Sequence, residues 1–165
     1  CIENLNGHQI DQYIIHAGKN IPLVKKNSGK SGRMKIGEQY AIETFASTGL
    51  GLVKDRGEST HFMMRPEMLN YTHQLNNVNQ ILDVIKKNHG SLAFCQRFLT
   101  RGLPPSVPSD RIDSALKFLL NNKRSEVIRE YPPLCDINGC YTSQMEHTLF
   151  IRHNSTEILS RGSDY

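Results

Sequence analysis

The hydrophobic periodicity of the chain changes twice, and this change constrains the possible folds more than any single motif. Between Gln74 and Gly90 the apolar residues recur at i, i+3, i+4 and i+7, the spacing of one face of an α-helix. The residues that share this face are Val78, Ile81, Leu82 and Ile85. Because glycine commonly follows the last turn of a helix, we expect this helix to end at Gly90.

The same region predicts two more short helices. Residues 92–102 are expected to form the second, which the sequence GLPP ends. Ser109 can cap the third, since its hydroxyl suits the first turn of a helix. The expected core residues of this helix are Ile112, Ala115, Leu116, Phe118 and Leu119. The extended sequence EVIREYPP follows and closes a predominantly helical block.

The two ends of the chain have the character of strands and turns. The sequence YIIHAGKNIPLV predicts two short extended pieces, because Gly18 and Pro22 interrupt it. EQYAIETFAST predicts a buried strand, and STHFMM another extended piece. Near the carboxyl end, Asn138-Gly139 is a strong signal for a hairpin turn, and a last strand is expected near EILS. Strands at both ends around a helical block predict an α+β fold with a helical insertion.

Composition limits the class of protein. The chain has 165 residues, of which 38% are hydrophobic, enough for a globular core. Its net charge of +4 is compatible with acidic partners but lacks the dense Lys/Arg pattern of a dedicated nucleic-acid-binding protein. No apolar run has the length of a membrane span. Because the chain begins at Cys1 rather than methionine, we expect it to be a piece of a longer or processed protein.

The four cysteines have neither a CxxC pair nor the spacing of a zinc finger. We therefore expect free thiols in a reducing compartment. A Cys135–Cys140 bridge across the predicted hairpin is the alternative that the spacing leaves open.

Two glutamates lie inside apolar strand patterns. In YAIETFA, Glu43 shares a strand face with Ala41 and Phe45, and in SQMEHTLFI Glu146 alternates with apolar neighbours. Burial of an unpaired carboxylate costs several kcal/mol, roughly, so both are expected to be paired, protonated or bound to a cation. A shared divalent metal with His8 as nitrogen ligand is one solution. The alternative is a water-exposed glutamate on an edge strand and a histidine in a turn.

Several segments together resemble the type-2 methionine aminopeptidases, in the order of that family and near its spacing. They are NLNGHQI, IHAGKNIP, YAIETFASTG, STHF, YPPLCDINGCYTSQMEHT and SRGSDY. The resemblance extends from Leu5 to Tyr165 and implies the C-terminal part of a pita-bread fold. It implies three segments: residues 1–65 as the first part of the C-terminal catalytic half, 66–130 as a winged-helix-like helical insertion, and 131–165 as the final strands.

The resemblance also implies roles for individual residues. His8, Glu43 and Glu146 match metal ligands, with Glu146 bridging two ions and Glu43 also transferring protons. His16 matches a histidine that hydrogen-bonds the scissile peptide and thus serves catalysis and substrate binding. The positions that match the surroundings of the methionine side-chain pocket are Leu5, Ile15, His61, Ala93, Tyr131 and Leu134.

The implied activity is removal of the N-terminal initiator methionine from nascent proteins and peptides, by hydrolysis with a metal-bound water. The implied cofactors are two divalent ions, Co, Mn, Fe or Zn, in a monomeric cytoplasmic enzyme that does not bind membranes and works near the ribosome. The family uses two aspartates and a histidine further upstream, so this chain by itself is expected to be inactive or to bind metal weakly. The rival interpretation is a non-catalytic pita-bread module that binds protein or RNA.

Other charged and imidazole groups have simpler interpretations. The basic loop with Lys25, Lys26, Lys30 and Arg33 is expected to be a solvated surface, with the acidic RNA of a ribosome as the alternative partner. His147 is expected on the strand face opposite to Glu146. We expect His73, His89 and His153 at the surface or at helix ends.

Overall fold

A computed structural model describes residues 1–25, 32–121 and 126–163 of the chain. The chain divides into two compact units. Unit 1 comprises Cys1–Asp55 and Leu134–Tyr165, and unit 2 comprises Arg56–Pro133. Unit 2 therefore contains the predicted insertion, residues 66–130, together with short flanks on either side. All the α-helices among the described residues lie in unit 2, together with three strands, and the strand pairing is antiparallel, as expected of an α+β chain.

The elements follow one another in this order: β1 (Asn6–Ile10), β2 (Asn20–Pro22), β3 (Gln39–Ser47), β4 (Lys54–Asp55), β5 (His61–Met64), α1 (Asn76–Asn88), β6 (Ala93–Cys95), α2 (Leu99–Gly102), α3 (Ser109–Asn121), β7 (Ile128–Tyr131), β8 (Leu134–Cys135), β9 (Thr142–Ile151) and β10 (Thr156–Ile158). Short 3₁₀ turns cover Pro66–Met68 and Gln96–Phe98. No helix among the described residues is long and apolar enough to cross a membrane.

Unit 1 is organised around a five-stranded sheet with the order β10-β9-β3-β1-β2. All its neighbouring pairs are antiparallel. The longest pair joins β3 and β9 from Gln39 opposite Phe150 to Ser47 opposite Thr142. The predicted strand YAIETFA forms, but only its start is buried: Tyr40 and Ala41 are almost completely buried, whereas Thr44 and Ala46 further along β3 are exposed. A second, two-stranded sheet joins β4 to β8.

Unit 2 packs its helices on one face of a three-stranded sheet with the order β6-β5-β7. The predicted helical faces are confirmed. The buried residues of α1 are Val78, Ile81, Leu82 and Ile85, and those of α3 are Ile112, Ala115, Leu116 and Leu119. Phe62, Phe94 and Ile128 join them from the three strands. Phe118, which we predicted in the helix core, is instead 41% exposed because it lies beside the buried face rather than on it.

The prediction of a helix over residues 92–102 is wrong for the first half of this segment. Ala93–Cys95 forms β6, which pairs with β5 and buries Phe94 in the core of unit 2. A 3₁₀ turn follows, and only Leu99–Gly102 is α-helical. Pairing with a neighbouring strand, together with burial of the Phe94 ring, outweighs the local preference for a helix.

Two turn predictions also need correction. The first extended piece of YIIHAGKNIPLV is a turn, because Asp11 and Ile14 exchange backbone hydrogen bonds of 2.9 and 3.0 Å. Tyr13 adopts the left-handed region with φ 60°. The Asn138-Gly139 turn forms, with Gly139 at φ 80°, but it does not connect a hairpin. Its flanking strands separate, since β8 pairs with β4 whereas β9 pairs with β3.

The four cysteines are free thiols in the structure, so the alternative Cys135–Cys140 bridge does not form. The basic loop lies partly outside the described residues, because Lys26 and Lys30 belong to the segment 26–31.

Candidate metal centre

Three strands bring the predicted metal ligands to the same face of the sheet in unit 1. Glu43 on β3 lies directly opposite Glu146 on β9, and side chains directly opposite in an antiparallel pair share a face. His8 on β1 lies opposite Ala41, two residues before Glu43, and therefore projects from this face as well. We call this surface, defined by His8, Glu43 and Glu146, the site face. His147 pairs with Ile42 and lies on the other face, as predicted.

The closest contact on the site face joins His8 to Glu43. Their Nε2 and Oε1 atoms are 3.2 Å apart, and the two side chains are only 11% and 12% exposed. On the far side of the ring, His8 Nδ1 lies 3.3 Å from the Gln9 carbonyl oxygen. A metal ion at Nε2 would require the tautomer in which Nδ1 donates its proton to that carbonyl, whereas the contact of Nε2 with the Glu43 carboxylate requires a proton on Nε2. The backbone carbonyl of the next residue, Gln9, thus helps to orient the imidazole toward Glu43.

The surroundings of Glu43 disfavour the negative charge of its carboxylate. Burial raises the pKa of its carboxyl above the ordinary value, and the negative charge of Glu146 raises the pKa further. The charge of His8, and then hydrogen bonds from Gln144 and His8, lower the pKa and oppose this shift. Like charges directly opposite each other destabilise an antiparallel pair unless something neutralises them. A divalent cation between the two carboxylates would do so.

The donor set fits such an ion chemically, although the ligands do not converge completely. A neutral imidazole nitrogen and two carboxylates suit Zn²⁺, Mn²⁺, Fe²⁺ or Co²⁺. Among the residues that the structure describes, however, no three side chains of His, Cys, Asp or Glu are arranged as a metal-binding group. His8 and Glu43 already meet, whereas the exposed Glu146 faces them from the neighbouring strand.

His16 lies beside His8. Their ring centroids are 4.2 Å apart with an angle of 48° between the planes. The segment directly after His16 is attached to β1, because Ala17 donates to the Gln9 carbonyl and Gln9 donates to the Lys19 carbonyl, each at 2.8 Å. The structure therefore brings together the two histidines whose roles the resemblance separates into metal binding and substrate binding.

The predicted pocket residues are distributed over both units. In unit 1, Leu5 and Ile15 are half-buried, and Leu134 on β8 is 49% exposed. In unit 2, His61 lies opposite Tyr131 and Met63 opposite Ala93, so His61, Ala93 and Tyr131 share the sheet face that points away from the helices. The Tyr131 hydroxyl donates to the Met63 sulfur at 3.5 Å.

The position before His8 requires a glycine, Gly7, because β1 and β3 approach each other closely there. A Cβ atom built on Gly7 would lie 2.5 Å from the Ala41 carbonyl oxygen and 3.1 Å from the Glu43 nitrogen. Both neighbours are backbone atoms that cannot move without separating β1 from β3. The absence of a side chain at Gly7 is therefore what lets β1 approach β3 at this point.

Two polar residues that sequence reasoning did not select have defined roles in unit 1. Gln144 donates from Nε2 to Glu43 Oε2 at 3.1 Å. It precedes Glu146 by two residues, and this spacing in a strand is the signal that could have placed it on the site face. Asp136, which is 6% exposed, accepts hydrogen bonds from the Ser47 hydroxyl and from the backbone of Leu50, Gly51 and Ile137.

Asp136 should make the stability of the fold depend on pH. The hydrogen bond from Ser47 is the largest cause that lowers its pKa from the ordinary 3.8 to about 2, and the N–H groups of Gly51, Ile137 and Leu50 add to it. Because the pKa is lowered in the folded state, the carboxylate stabilises the fold above about pH 4, and this stabilisation is lost as the pH falls toward 2. We expect Asp136→Asn to lower the melting temperature at pH 7 and to flatten its decline between pH 4 and pH 2.

Thermal unfolding followed by circular dichroism across this pH range would measure the effect. Some decline will remain in the variant, since Glu38 also has a pKa of about 2, chiefly through its hydrogen bond from Lys19. Asp83→Asn, an exposed change on α1, is the matched control and should keep the full decline. Equal slopes for Asp136→Asn and the parent protein would contradict the prediction.

The chain is similar in sequence to methionine aminopeptidases of several fungi. No protein-family model matches the chain. Methionine aminopeptidase 2-2 of Aspergillus niger is 46% identical over the whole chain, and methionine aminopeptidase 2-1 of Aspergillus flavus and methionine aminopeptidase 2 of Paracoccidioides lutzii are each 45% identical. The chain spans 35–36% of the length of these relatives.

Among solved structures, the chain is similar in fold to a thermophilic Arx1, with a TM-score of 0.75 and 21% sequence identity. The similarity covers 99% of this chain and 42% of the Arx1 chain, and it confirms the pita-bread fold predicted from the sequence. The sequence relatives and the fold agree: over its whole length the chain matches a segment of the type-2 methionine aminopeptidases that is about a third as long as these proteins.

Proposed function

We propose that this chain supplies part of the active site of a methionine aminopeptidase, which removes the initiator methionine from nascent proteins and peptides. The relatives that match its whole length carry the name of this activity. The single observation that carries the proposal is the site face, where His8 Nε2 lies 3.2 Å from Glu43 Oε1 and Glu146 stands directly opposite Glu43.

The proposed site holds two divalent ions, of which Co, Mn, Fe and Zn all suit these ligands. When bound, such ions lower the pKa of a water molecule toward neutrality and polarise the scissile carbonyl. Of the residues in this chain, His8 and Glu43 would hold one ion and Glu146 would contact both. The raised pKa of Glu43 supports this view. The charge of Glu146 causes part of the shift, and a bound cation would relieve the repulsion between the two carboxylates.

The remaining steps fall to side chains of the chain itself. Glu43 accepts a proton from the attacking water and returns it to the leaving amine, because a carboxyl with a raised pKa is suited to both directions. His16, beside His8, donates a hydrogen bond to the scissile peptide group and stabilises the charge that develops on its oxygen. The flexible thioether of a methionine side chain packs well against apolar and aromatic groups. The residues that we propose to surround it, on the family resemblance, are Leu5, Ile15, His61, Ala93, Tyr131 and Leu134.

The wider assignments follow from the same proposal. The substrates are polypeptides with an N-terminal methionine, and the protein acts as a monomer in the cytoplasm, near the ribosome. A non-catalytic binding module is the rival function, and the fold shared with Arx1 is compatible with either. The two facing carboxylates favour the enzyme, because a pure binding module gains nothing from that repulsion.

The test compares the natural full-length chain that contains these residues with its Glu146→Gln variant. We expect the parent protein to bind Mn²⁺ or Co²⁺ and to cleave methionyl peptides only when metal is added. Glu146→Gln should lower turnover about 100-fold or more, since it removes one charge from the metal-binding set.

Glu58→Gln makes the same chemical change at an exposed position of unit 2 and should leave turnover unchanged. A folded parent protein that neither binds metal nor cleaves methionine would refute the enzyme and favour the binding module.

A further inference from the structure

Gln144 is placed to control the orientation of Glu43. In the register of β3 with β9, Gln144 lies opposite Phe45 and is therefore a diagonal neighbour of Glu43 on the site face. Long side chains reach across such a diagonal. The amide Nε2 of Gln144 donates to Glu43 Oε2 at 3.1 Å.

The two oxygens of Glu43 are consequently held by different partners. Oε1 lies 3.2 Å from Nε2 of His8, a predicted metal ligand, and Oε2 accepts from Gln144. The last torsion of a glutamate side chain is broad, so the carboxylate plane rotates easily unless something fixes it. Contacts at both oxygens fix this plane, and the Gln144 contact is the one that involves no predicted metal ligand.

We propose that Gln144 is a positioning residue for Glu43: its side-chain amide holds Oε2 and thereby keeps Oε1 directed toward the metal and the attacking water. This inference rests on the proposed aminopeptidase function. A neutral amide suits the task, because it donates a hydrogen bond without adding charge. A lysine would neutralise the carboxylate that must bind metal, and a glutamate would add a third negative charge beside Glu43 and Glu146.

The experiment uses Gln144→Ala and Gln144→Glu in the natural full-length chain, with Ser143→Ala as matched control. Ser143 is exposed, neighbours Gln144 on β9 and projects from the opposite face of the strand. Three quantities are measured: Mn²⁺ affinity by calorimetry without substrate, kcat and KM for a methionyl peptide, and the NMR signal of the Gln144 side-chain amide.

We expect Gln144→Ala to weaken Mn²⁺ binding and to lower kcat by about tenfold each, as is typical when a group that orients a metal ligand is removed, with KM changed less than about twofold. Gln144→Glu should reduce Mn²⁺ affinity and kcat further, since it removes the hydrogen-bond donor and adds a negative charge that repels Glu43. The Gln144 amide signal should shift in a Glu43→Ala variant. Ser143→Ala should match the parent protein in affinity, kcat and KM.

Unchanged Mn²⁺ affinity and kcat in a folded Gln144→Ala variant would overturn the role of Gln144 while leaving the aminopeptidase proposal intact. A parent protein that binds no Mn²⁺ and cleaves no methionine would overturn both. An equal loss in melting temperature, affinity and kcat for Ser143→Ala would also overturn it, because the effect would then belong to the strand and not to the amide.

Discussion

Glu43→Gln is expected to lower kcat/KM for methionyl peptides by about 10³-fold in the natural full-length chain, because positioned proton transfer alone contributes about 10²–10⁴-fold. The change keeps the shape of the side chain but removes the charge that would bind metal and accept the proton. It also relieves the repulsion from Glu146, so the folded chain should be at least as stable as the parent protein. Loss of activity without loss of stability is the expected result.

Steady-state kinetics with added metal, together with thermal unfolding, would measure the two effects separately. Glu58→Gln, an exposed glutamate in unit 2, is the control for the loss of one negative charge. Retention of more than about a tenth of the parent kcat/KM by Glu43→Gln would assign proton transfer to another group.

Gly7→Ala is expected to damage both the fold and the site. The new Cβ would lie 2.5 Å from the Ala41 carbonyl oxygen, so β1 must move away from β3. Overpacking of this kind typically costs about 1–3 kcal/mol in the free energy of unfolding. Since His8 follows Gly7 directly, the movement also lengthens the 3.2 Å contact between His8 and Glu43, and we expect Mn²⁺ affinity to fall about tenfold.

Chemical denaturation and calorimetry would measure these changes. Gly32→Ala is the matched control, because a Cβ there makes only ordinary contact, 3.6 Å or more, with the flexible Lys19 side chain. If Gly7→Ala and Gly32→Ala had the same stability and metal affinity, the close approach of β1 and β3 would not be what positions His8.

The sequence predicted those parts of the fold that depend on local periodicity. The apolar stripe of α1 was sufficient to predict both the helix and its buried face, because every residue of that stripe is buried. The alternation in YAIETFA likewise predicted that Glu43 shares a face with Ala41 and Phe45. What alternation alone could not supply was the register, since it does not say which residue of β9 lies opposite Glu43. The family resemblance proposed a common site for Glu43 and Glu146, and the pairing of β3 with β9 gives its geometry in unit 1.

The errors arose where a distant partner decides the local structure. Ala93–Cys95 became a strand because β5 offered it backbone partners, and nothing within the segment indicates β5. The Asn138-Gly139 turn was predicted correctly, but its two flanks pair with strands that lie about 80–110 residues earlier in the chain. Gln144 was missed for a similar reason, since its significance depends on the diagonal contact with Glu43.

The pairing of β4 with β8 has a consequence for how such a chain can vary. Lys54 lies opposite Cys135 and Asp55 opposite Leu134, and the next residues continue the ladder, since Arg56 donates to the Pro133 carbonyl at 2.9 Å. The chain thus leaves for unit 2 and returns from it along adjacent antiparallel backbones. Viewed from unit 1, the whole of unit 2 occupies the place of a hairpin loop. A longer, different or missing segment at this single junction would therefore leave the pairing of β3 with β9 unchanged, and the five-stranded sheet can be inherited independently of its insert.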